Sequence, residues 1–534
     1  MLDERPAMPL RPQPGTPPGK PTMLPTALVA ALAMTLLGAP ARAQLAPGEA
    51  TIFRLAGNAD LAMGSALAAG DFDGDGAQDL AMGAPLATDD GQVGAGAVVV
   101  RYGDTSVTIL LQSTSGVAVA EGGDRFGAAL ASGDLDCDGY SDLAVGIPWE
   151  DVGGALDTGA VLVYYGSAAG LPSAAGDLLL LSDVDADGNQ NFADFGTVVA
   201  VLDYGTATEL AIGSPGHDIP IAGDSGAVYV VPHSCPGGGF DTGSALGLIQ
   251  GIGGVSGMAS EGDDFGRALA VADFDGADGP DLAVGVPGNS YGGGAYGSIQ
   301  VFYGAGDHLD VAGDAVWYQD DSGVPGTAED GDRFGAAVAA GDFDGDGRDD
   351  LAVGVPGEDV GASADAGGVN ILYGSAAGLG GDGSQYFDQD SPGVVGSVEA
   401  SDHFGQALAA GDFSGNGRAD LAIGAPDENV GIFADAGFVD VILGTPSGLT
   451  AHNSQGLAED DLPAPGAGGD SDRFGLALTT LDLDGDGLAD LVAAAPHDLF
   501  NGHPVGLVAV LPGRPMFADG FESGDSTAWS LTEP

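Results

Sequence analysis

One sequence unit recurs seven times at a nearly constant spacing, and this repeat limits the possible folds more than any other feature. Each copy has a Phe-Gly pair (Met63-Gly64 in the first), a run of small apolar residues and a loop rich in Asp and Gly. The loops open 63, 69, 70, 69, 70 and 70 residues apart, at Asp71, Asp134, Asp203, Asp273, Asp342, Asp412 and Asp482. A fixed period indicates stacked units that bury one another's apolar faces.

The fifth copy shows how each repeat is built. Its pattern predicts a strand of small residues over 334–341, a tight loop over 342–350, a buried strand over 351–355 and a third strand over 368–373. The residues that follow have room for a fourth strand and a return. Short apolar runs bounded by Gly and Pro favour strands over helices, and no convincing helix is predicted after residue 43.

Four antiparallel strands in each of seven copies predict an all-β fold, a seven-bladed β-propeller of four-stranded antiparallel blades. An open ring would expose strand edges, so the strand predicted over 51–55, ahead of the first copy, is a candidate to complete the last blade. A linear β-solenoid is the structural alternative, although solenoid repeats are usually much shorter.

The acidic loops predict metal sites. Four of them follow D-x-D-x-D-G-x-x-D, in which carboxylates at positions 1, 3, 5 and 9 can converge on one ion and position 7 offers its backbone carbonyl. Six or seven oxygen ligands suit Ca²⁺ better than the smaller, octahedral Mg²⁺, and without a cation the carboxylates would repel one another. The four ligand sets are Asp71, Asp73, Asp75, Ala77 and Asp79; Asp134, Asp136, Asp138, Tyr140 and Asp142; Asp342, Asp344, Asp346, Arg348 and Asp350; and Asp482, Asp484, Asp486, Leu488 and Asp490.

Other copies fit this pattern less well. One loop has less charge and is expected to bind more loosely, and another has Ala277 at position 5; their ligands are Asp412, Ser414, Asn416, Arg418 and Asp420, and Asp273, Asp275 and Asp281. The third loop, from Asp203 to Glu209, is two residues shorter, and no ion is expected there. A further acidic turn lies upstream of it at Asp183, Asp185 and Asp187.

Two other interpretations of the acidic loops fit the sequence less well. Asp and Gly make good turns, but a turn needs one Asp rather than four at alternate positions. An EF-hand needs a carboxylate at position 12 followed by a helix, whereas position 12 is apolar here (Met82, Val145, Val353 or Ala493) and a strand follows.

The repeat resembles the FG-GAP repeat proteins, whose best-known members are the N-terminal propellers of integrin α subunits. The name describes pairs such as Phe334-Gly335 and triplets such as Gly83-Ala84-Pro85 and Gly424-Ala425-Pro426. The resemblance covers about residues 50–513 and implies a seven-bladed propeller with Ca²⁺ loops on one face. Integrin propellers usually have fewer such loops, and the leg domains and transmembrane helix of an integrin α chain are absent from this sequence, so heterodimer formation is not carried over.

The chain ends predict export. Residues 1–43 are expected to be a signal peptide, because the apolar run 27–37 suits a signal core and Ala41-Arg42-Ala43 suits cleavage before Gln44. Residues 44–514 would form the propeller. The tail, 515–534, contains FADGFESGDSTAWS, which resembles a short C-terminal motif of bacterial exported proteins. Cys137 and Cys235 could form one bridge or stay free.

Composition excludes some functions. With 78 acidic and 13 basic residues the formal net charge is −65, which repels nucleic acid and anionic lipid. The seven His residues are scattered without zinc-ligand spacing. We therefore expect a secreted or surface-bound, monomeric, non-catalytic module that binds an extracellular protein or glycan, with no membrane span after residue 43. The alternative is an accessory or catalytic propeller of an extracellular carbohydrate-active or hydrolytic enzyme.

Overall fold

The computed structural model describes residues 45, 47–54, 60–103, 105–185, 190–220, 222–277, 279–291, 294–463, 468–500 and 503–514. The predicted signal peptide and the C-terminal tail lie outside the described residues. The described chain forms seven four-stranded antiparallel sheets arranged as blades, which confirms the predicted propeller. The first strand of each blade contacts the first strands of both neighbours, from blade 1 to blade 7 and back to blade 1, so the blades form a closed ring.

Each blade uses its strands in chain order from the centre outwards, except that the last blade borrows its outer strand from the N-terminal side. Blades 1 to 4 consist of Leu67–Gly70, Asp79–Ala84, Ala97–Arg101 and Val107–Leu110; Ala129–Gly133, Asp142–Ile147, Ala160–Tyr164 and Asp177–Leu180; Val198–Asp203, Thr208–Ser214, Ala227–His233 and Leu246–Leu248; and Ala268–Ala272, Asp281–Val286, Ser298–Phe302 and Ala315–Trp317. Blades 5 to 7 consist of Ala337–Gly341, Asp350–Val355, Gly368–Tyr373 and Gly380–Phe387; Ala407–Gly411, Asp420–Ala425, Phe438–Thr445 and Gly448–Ala458; and Ala477–Leu481, Asp490–Ala495, Leu507–Leu511 and Thr51–Phe53.

The ring is closed by the strand Thr51–Phe53. It pairs antiparallel with Leu507–Leu511, in the register Thr51↔Val510 to Phe53↔Val508. The outer edge of the last third strand is thus covered rather than left open to other chains.

Small elements accompany the blades. Within the described residues these are a one-turn α-helix, Leu181–Val184, the 3₁₀ turns Pro47–Glu49, Gln112–Thr114, Thr242–Ser244 and Glu459–Asp461, and the strand pairs Ser290–Tyr291 with Gly294–Ala295 and Leu499–Phe500 with His503–Pro504. The sequence predicted no helix; the single turn forms because the Asp183 carboxylate accepts a hydrogen bond from the Leu180 N–H at its start.

The core lies between blades. The described residues form seven apolar clusters, each shared by two neighbouring blades. The phenylalanines of the Phe-Gly pairs are fully buried in them. A Cβ at Gly354, the glycine of one GAP-like triplet, would lie 2.1 Å from the carbonyl oxygen of Gly405, the glycine of the next Phe-Gly pair. The two glycines therefore allow adjacent blades to approach backbone to backbone.

The two cysteines form a bridge, Cys137–Cys235, with their Cα atoms 5.4 Å apart. Cys137 lies in the acidic loop of blade 2, and Cys235 follows the third strand of blade 3. The bridge resolves the open question of their pairing and ties one acidic loop to the neighbouring blade.

Candidate metal-binding loops

All the acidic loops lie on one face of the ring. Each joins the first and second strands of a blade, and in an antiparallel sheet this connection is on the same side as the one between the third and fourth strands. We call this side the acidic-loop face. The Phe-Gly pairs, the loops between second and third strands and the connections between blades lie on the opposite side, the FG face.

The first Asp folds each loop around itself. In blade 1, Asp71 Oδ1 accepts hydrogen bonds from the N–H groups of Gly74 (2.7 Å) and Asp75 (3.1 Å), and Oδ2 accepts one from Gly76 (3.0 Å). Asp342 and Asp482 make the same three bonds in blades 5 and 7. The loop backbone is thus curled around one carboxylate before any ion is considered.

The last Asp holds two loops together. Asp350 Oδ2 accepts the N–H of Phe343 in its own loop (2.9 Å), and Oδ1 accepts the N–H of Gly374, which follows the third strand (2.8 Å). The corresponding Asp makes the equivalent two bonds in four other blades, as Asp79, Asp142, Asp281 and Asp490. In blade 6, Asp420 accepts the N–H groups of Ser414 and Gly444 instead. The sequence predicted only a metal ligand here. Because each carboxylate oxygen has two lone pairs, the two backbone bonds of Asp350 leave one lone pair per oxygen for an ion.

Three carboxylates converge in the loops of blades 1, 2, 4 and 5. One oxygen from each of positions 1, 3 and 9 lies within 4.8 Å of the other two. The converging sets are Asp71, Asp73 and Asp79; Asp134, Asp136 and Asp142; Asp273, Asp275 and Asp281; and Asp342, Asp344 and Asp350. Blade 4 therefore brings its three acids together although Ala277 occupies position 5.

The side chain at position 5 stabilises the turn of the loop by accepting a backbone hydrogen bond. Asp75 Oδ1 accepts the N–H of Ala77 (2.8 Å), and Asp138, Asp346 and Asp486 accept the N–H of their own position 7 in the same way. In blade 6 the amide oxygen of Asn416 does so, at 2.9 Å from Arg418 N. An amide therefore replaces the carboxylate in this turn without losing the bond.

Burial and mutual repulsion raise the pKa of several of these carboxyl groups. Burial, opposed by the backbone hydrogen bonds and reinforced by neighbouring acids, raises the pKa of Asp350 to about 7 and that of Asp490 to about 6. Burial and neighbouring carboxylates also raise the pKa of Asp344 and Asp484, at position 3. A divalent cation would relieve this repulsion, and hard oxygen donors are the ligands that Ca²⁺ takes, so the residues fit such an ion.

The remaining predicted acids lie elsewhere. Asp203 and Thr208 pair across a tight hairpin, and Glu209 is buried, accepting bonds from Tyr204 Oη and Leu309 N, each at 3.2 Å. Asp185 accepts a bond from Tyr229 Oη (2.8 Å), and Asp187 lies outside the described residues.

The repeated acidic loops of the FG face are held by hydrogen bonds within the protein. Glu428 is buried and Glu150 and Glu358 are half-buried. Each accepts a hydrogen bond from a glutamine side chain of the preceding blade (Gln112 to Glu150, Gln319 to Glu358 and Gln389 to Glu428, at 2.5, 2.5 and 2.8 Å). The next residue holds the loop, as where Asp359 accepts the N–H of Asp365 (3.0 Å). These hydrogen bonds give the repeated acids of this face a structural role.

The FG face also carries exposed apolar side chains, which the repeat pattern of the sequence does not predict. The Arg125 guanidinium lies 3.5 Å from the centre of the Trp149 ring, which is 38% exposed. All the exposed large apolar residues of the described chain lie on this face: Val93, Val117, Val119, Trp149, Leu156, Phe192, Ile252, Met258, Val395, Ile432 and Leu499. The residue type at these loop positions changes from copy to copy, so no periodic signal marks them.

The fold and its loops define a seven-bladed β-propeller with acidic strand–loop–strand turns. The FG-GAP repeat model matches residues 63–100, 126–164, 334–372, 404–442 and 474–511, which are blades 1, 2, 5, 6 and 7. The chain is an FG-GAP repeat propeller of the integrin-α-like type. Blades 3 and 4 repeat the same architecture outside the matched residues.

Parts of this chain are similar in sequence to known proteins. Phosphatidylinositol-glycan-specific phospholipase D of Rattus norvegicus is 34% identical over 188 residues, 35% of this chain and 21% of that protein. Integrin alpha-PS2 of Drosophila melanogaster is 30% identical over 271 residues, 48% of this chain and 17% of that protein. The chain thus spans about a fifth of the length of these relatives. Among solved structures, a Bacillus licheniformis rhamnogalacturonan lyase aligns with 87% of this chain and 72% of its own at 13% identity, with a TM-score of 0.41, too low to inform function.

Within the described residues, no helix has the length and apolar character needed to cross a membrane.

Proposed function

We propose that this chain is an exported, calcium-stabilised and non-catalytic propeller that binds a protein or glycan partner outside the cell through its FG face. The observation that carries the proposal is the separation of the two faces. One has the acidic loops, and the other has all the exposed large apolar side chains of the described residues. Exposed apolar groups gathered on one surface mark interaction sites.

Calcium has a structural role in this proposal. The acids at positions 1, 3 and 9 of blades 1, 2, 4 and 5 would hold an ion, joined in blades 6 and 7 by loops with similar backbone bonds. An ion would neutralise each loop and fix the first two strands of the blade relative to the connection between the last two. The ions would lie on the acidic-loop face and leave the FG face free for the partner.

The central channel offers little for catalysis. It forms an open cavity of about 290 Å³, lined by the beginnings of the first strands of all seven blades. Its described lining is Ala, Leu and Val, with Thr197 and Arg267 as the polar members. General acid–base catalysis needs a paired donor and acceptor of protons, and among the described lining residues there is no carboxylate or imidazole to supply one.

A hydrolytic role is the second candidate, because one set of relatives is named as a phospholipase D. This role would be supported if the purified chain turned over a phosphatidylinositol-glycan substrate and if a substitution in the central channel, such as Arg267→Ala, reduced the rate. We expect no turnover above the blank.

A comparison of variants altered on different parts of the surface tests the binding proposal. The triple variant Val93→Ser/Phe192→Ser/Ile432→Ser makes the FG face polar. Its control, His308→Ser/His452→Ser, changes an exposed residue of the acidic-loop face and one of the outer strand of blade 6. Purified proteins are passed over immobilised extracellular polysaccharides and matrix proteins. Every immobilised polysaccharide or protein that binds the wild type should bind the triple variant at least about tenfold more weakly. It should bind the control variant as well as it binds the wild type. Loss in the control alone would contradict the proposal.

A further inference from the structure

Similar sets of buried and half-buried polar side chains lie on the FG face at three blade boundaries, those between blades 1 and 2, 4 and 5, and 5 and 6. A glutamine after the fourth strand of one blade meets an Asp and a Glu of the next. The sets are Gln112, Asp124 and Glu150; Gln319, Asp332 and Glu358; and Gln389, Asp402 and Glu428. The glutamine Nε2 donates to the Glu carboxyl in all three. A neutral amide is therefore the usual partner of these two acids.

The boundary between blades 6 and 7 departs from this arrangement. Glu459 occupies the glutamine position, and its companions are Asp472 and Asp498. One oxygen from each of the three carboxyl groups lies within 4.8 Å of the others, and all three residues are at most 2% exposed. Three acids packed this closely in a dry site would strongly destabilise the blade unless a positive charge lay among them.

Arg54 supplies that charge. It directly follows the strand Thr51–Phe53 that closes the ring. Its Nε lies 2.8 Å from Asp498 Oδ2, and its Nη2 lies 3.6 Å from Glu459 Oε1. The side chain is 14% exposed. Burial and the neighbouring Asp residues raise the pKa of Glu459 to about 8, while Arg54 opposes this rise.

The closing strand needs such an anchor, because it makes three register pairs and no connection from the third strand of its own blade holds it in place. Every other fourth strand is joined to its blade through the chain itself. We propose that Arg54 is a latch that holds the closing strand in blade 7, and that Glu459 replaces the usual glutamine because this boundary receives an arginine. This inference is independent of what binds to the FG face.

Paired substitutions in the full chain test the latch. Arg54→Gln removes the cation and leaves three buried acids; Arg54→Gln/Glu459→Gln restores the amide, Asp and acid set of the other boundaries. The control is Arg514→Gln, which breaks a more exposed ion pair between Arg514 and Glu49 near the same segment. Amide hydrogen exchange of Thr51–Phe53 and the melting temperature are measured with calcium saturating.

We expect Arg54→Gln to speed exchange of these amides at least about tenfold and to lower the melting temperature, because breaking a buried ion pair is strongly destabilising. The double variant should recover most of both losses, and Arg514→Gln should differ little from the wild type. If Arg54→Gln does not fold, the double variant is expected to do so. The proposal would be overturned if the amides of Arg54→Gln exchanged at the wild-type rate. It would also be overturned if the double variant recovered neither the exchange rate nor the melting temperature.

Discussion

At the scale of single residues, the last Asp of each acidic loop has two tasks. Its oxygens accept backbone hydrogen bonds from two different connections, and they also belong to the cluster that fits a cation. Asp346, at position 5 of the same loop, accepts hydrogen bonds from the backbone N–H and the guanidinium of Arg348. The two acids of one loop should therefore respond differently to the same isosteric change.

Asp350→Asn should destabilise the calcium-free protein by about 1–3 kcal/mol, because its new amide group turns an N–H toward the Phe343 or Gly374 donor and leaves that donor unpaired. It should also remove about one bound calcium ion. Asp346→Asn is the matched control and should have a small effect, since Asn416 already fills this position in blade 6. Urea denaturation and calcium calorimetry measure both. Equal losses in the two variants would contradict a special role for the last Asp.

At the scale of elements, the blade boundaries on the FG face depend on carboxyl groups that keep their protons. Burial, reinforced by Asp124, raises the pKa of Glu150 to about 8, although its bond from Gln112 opposes the rise. The folded state therefore binds a proton that the unfolded state releases near the ordinary pKa of Glu. This stabilisation is complete at low pH and is lost as the pH rises through about 8.

The calcium-free protein should accordingly lose stability from pH 5 to pH 9, and Glu150→Gln should flatten this decline. The amide cannot titrate, and it replaces a carboxyl group that is neutral in the folded state at pH 5. Thermal unfolding across this range, in chelator and at fixed ionic strength, measures the slope. A variant slope as steep as that of the wild type would show that Glu150 does not contribute to it.

The sequence predicts elements where they repeat. The strand–loop–strand units follow from runs such as 337–341 and 350–355, because small residues, the acidic turn and the proline recur in each copy. Contacts between blades are harder to predict. Gln112 meets Glu150 from 38 positions away, and Arg54 meets Glu459 only because the ring closes. Such pairs depend on three-dimensional closure, which local patterns do not encode.

The loop chemistry is also only partly predictable. Alternate carboxylates indicate an ion, but the assignment of oxygens to backbone donors depends on where the connection after the third strand passes. Gly374 approaches Asp350 from 24 residues away, and its position is fixed by the blade as a whole. The order of the acids therefore predicts a site, while the dual role of the last Asp needs the fold.

At the scale of the whole molecule, the ring separates two chemistries. The acidic-loop face concentrates carboxylates that fit a hard cation, and the FG face carries the exposed apolar side chains. Because each ion would act within one blade, calcium would stabilise the ring by summed local contributions of about 2.7 kcal/mol per site at a hundredfold excess over Kd. A formal net charge of −65 makes this neutralisation a large effect on the folded state.

Calcium calorimetry on the full chain, with thermal unfolding in calcium and in chelator, tests the central claim most directly. We expect about four to six bound ions and a melting temperature that is higher by about 10 °C or more in calcium. No binding, or an unchanged melting temperature at sub-micromolar free calcium, would contradict the account. The acidic loops would then serve as hydrogen-bonded turns alone.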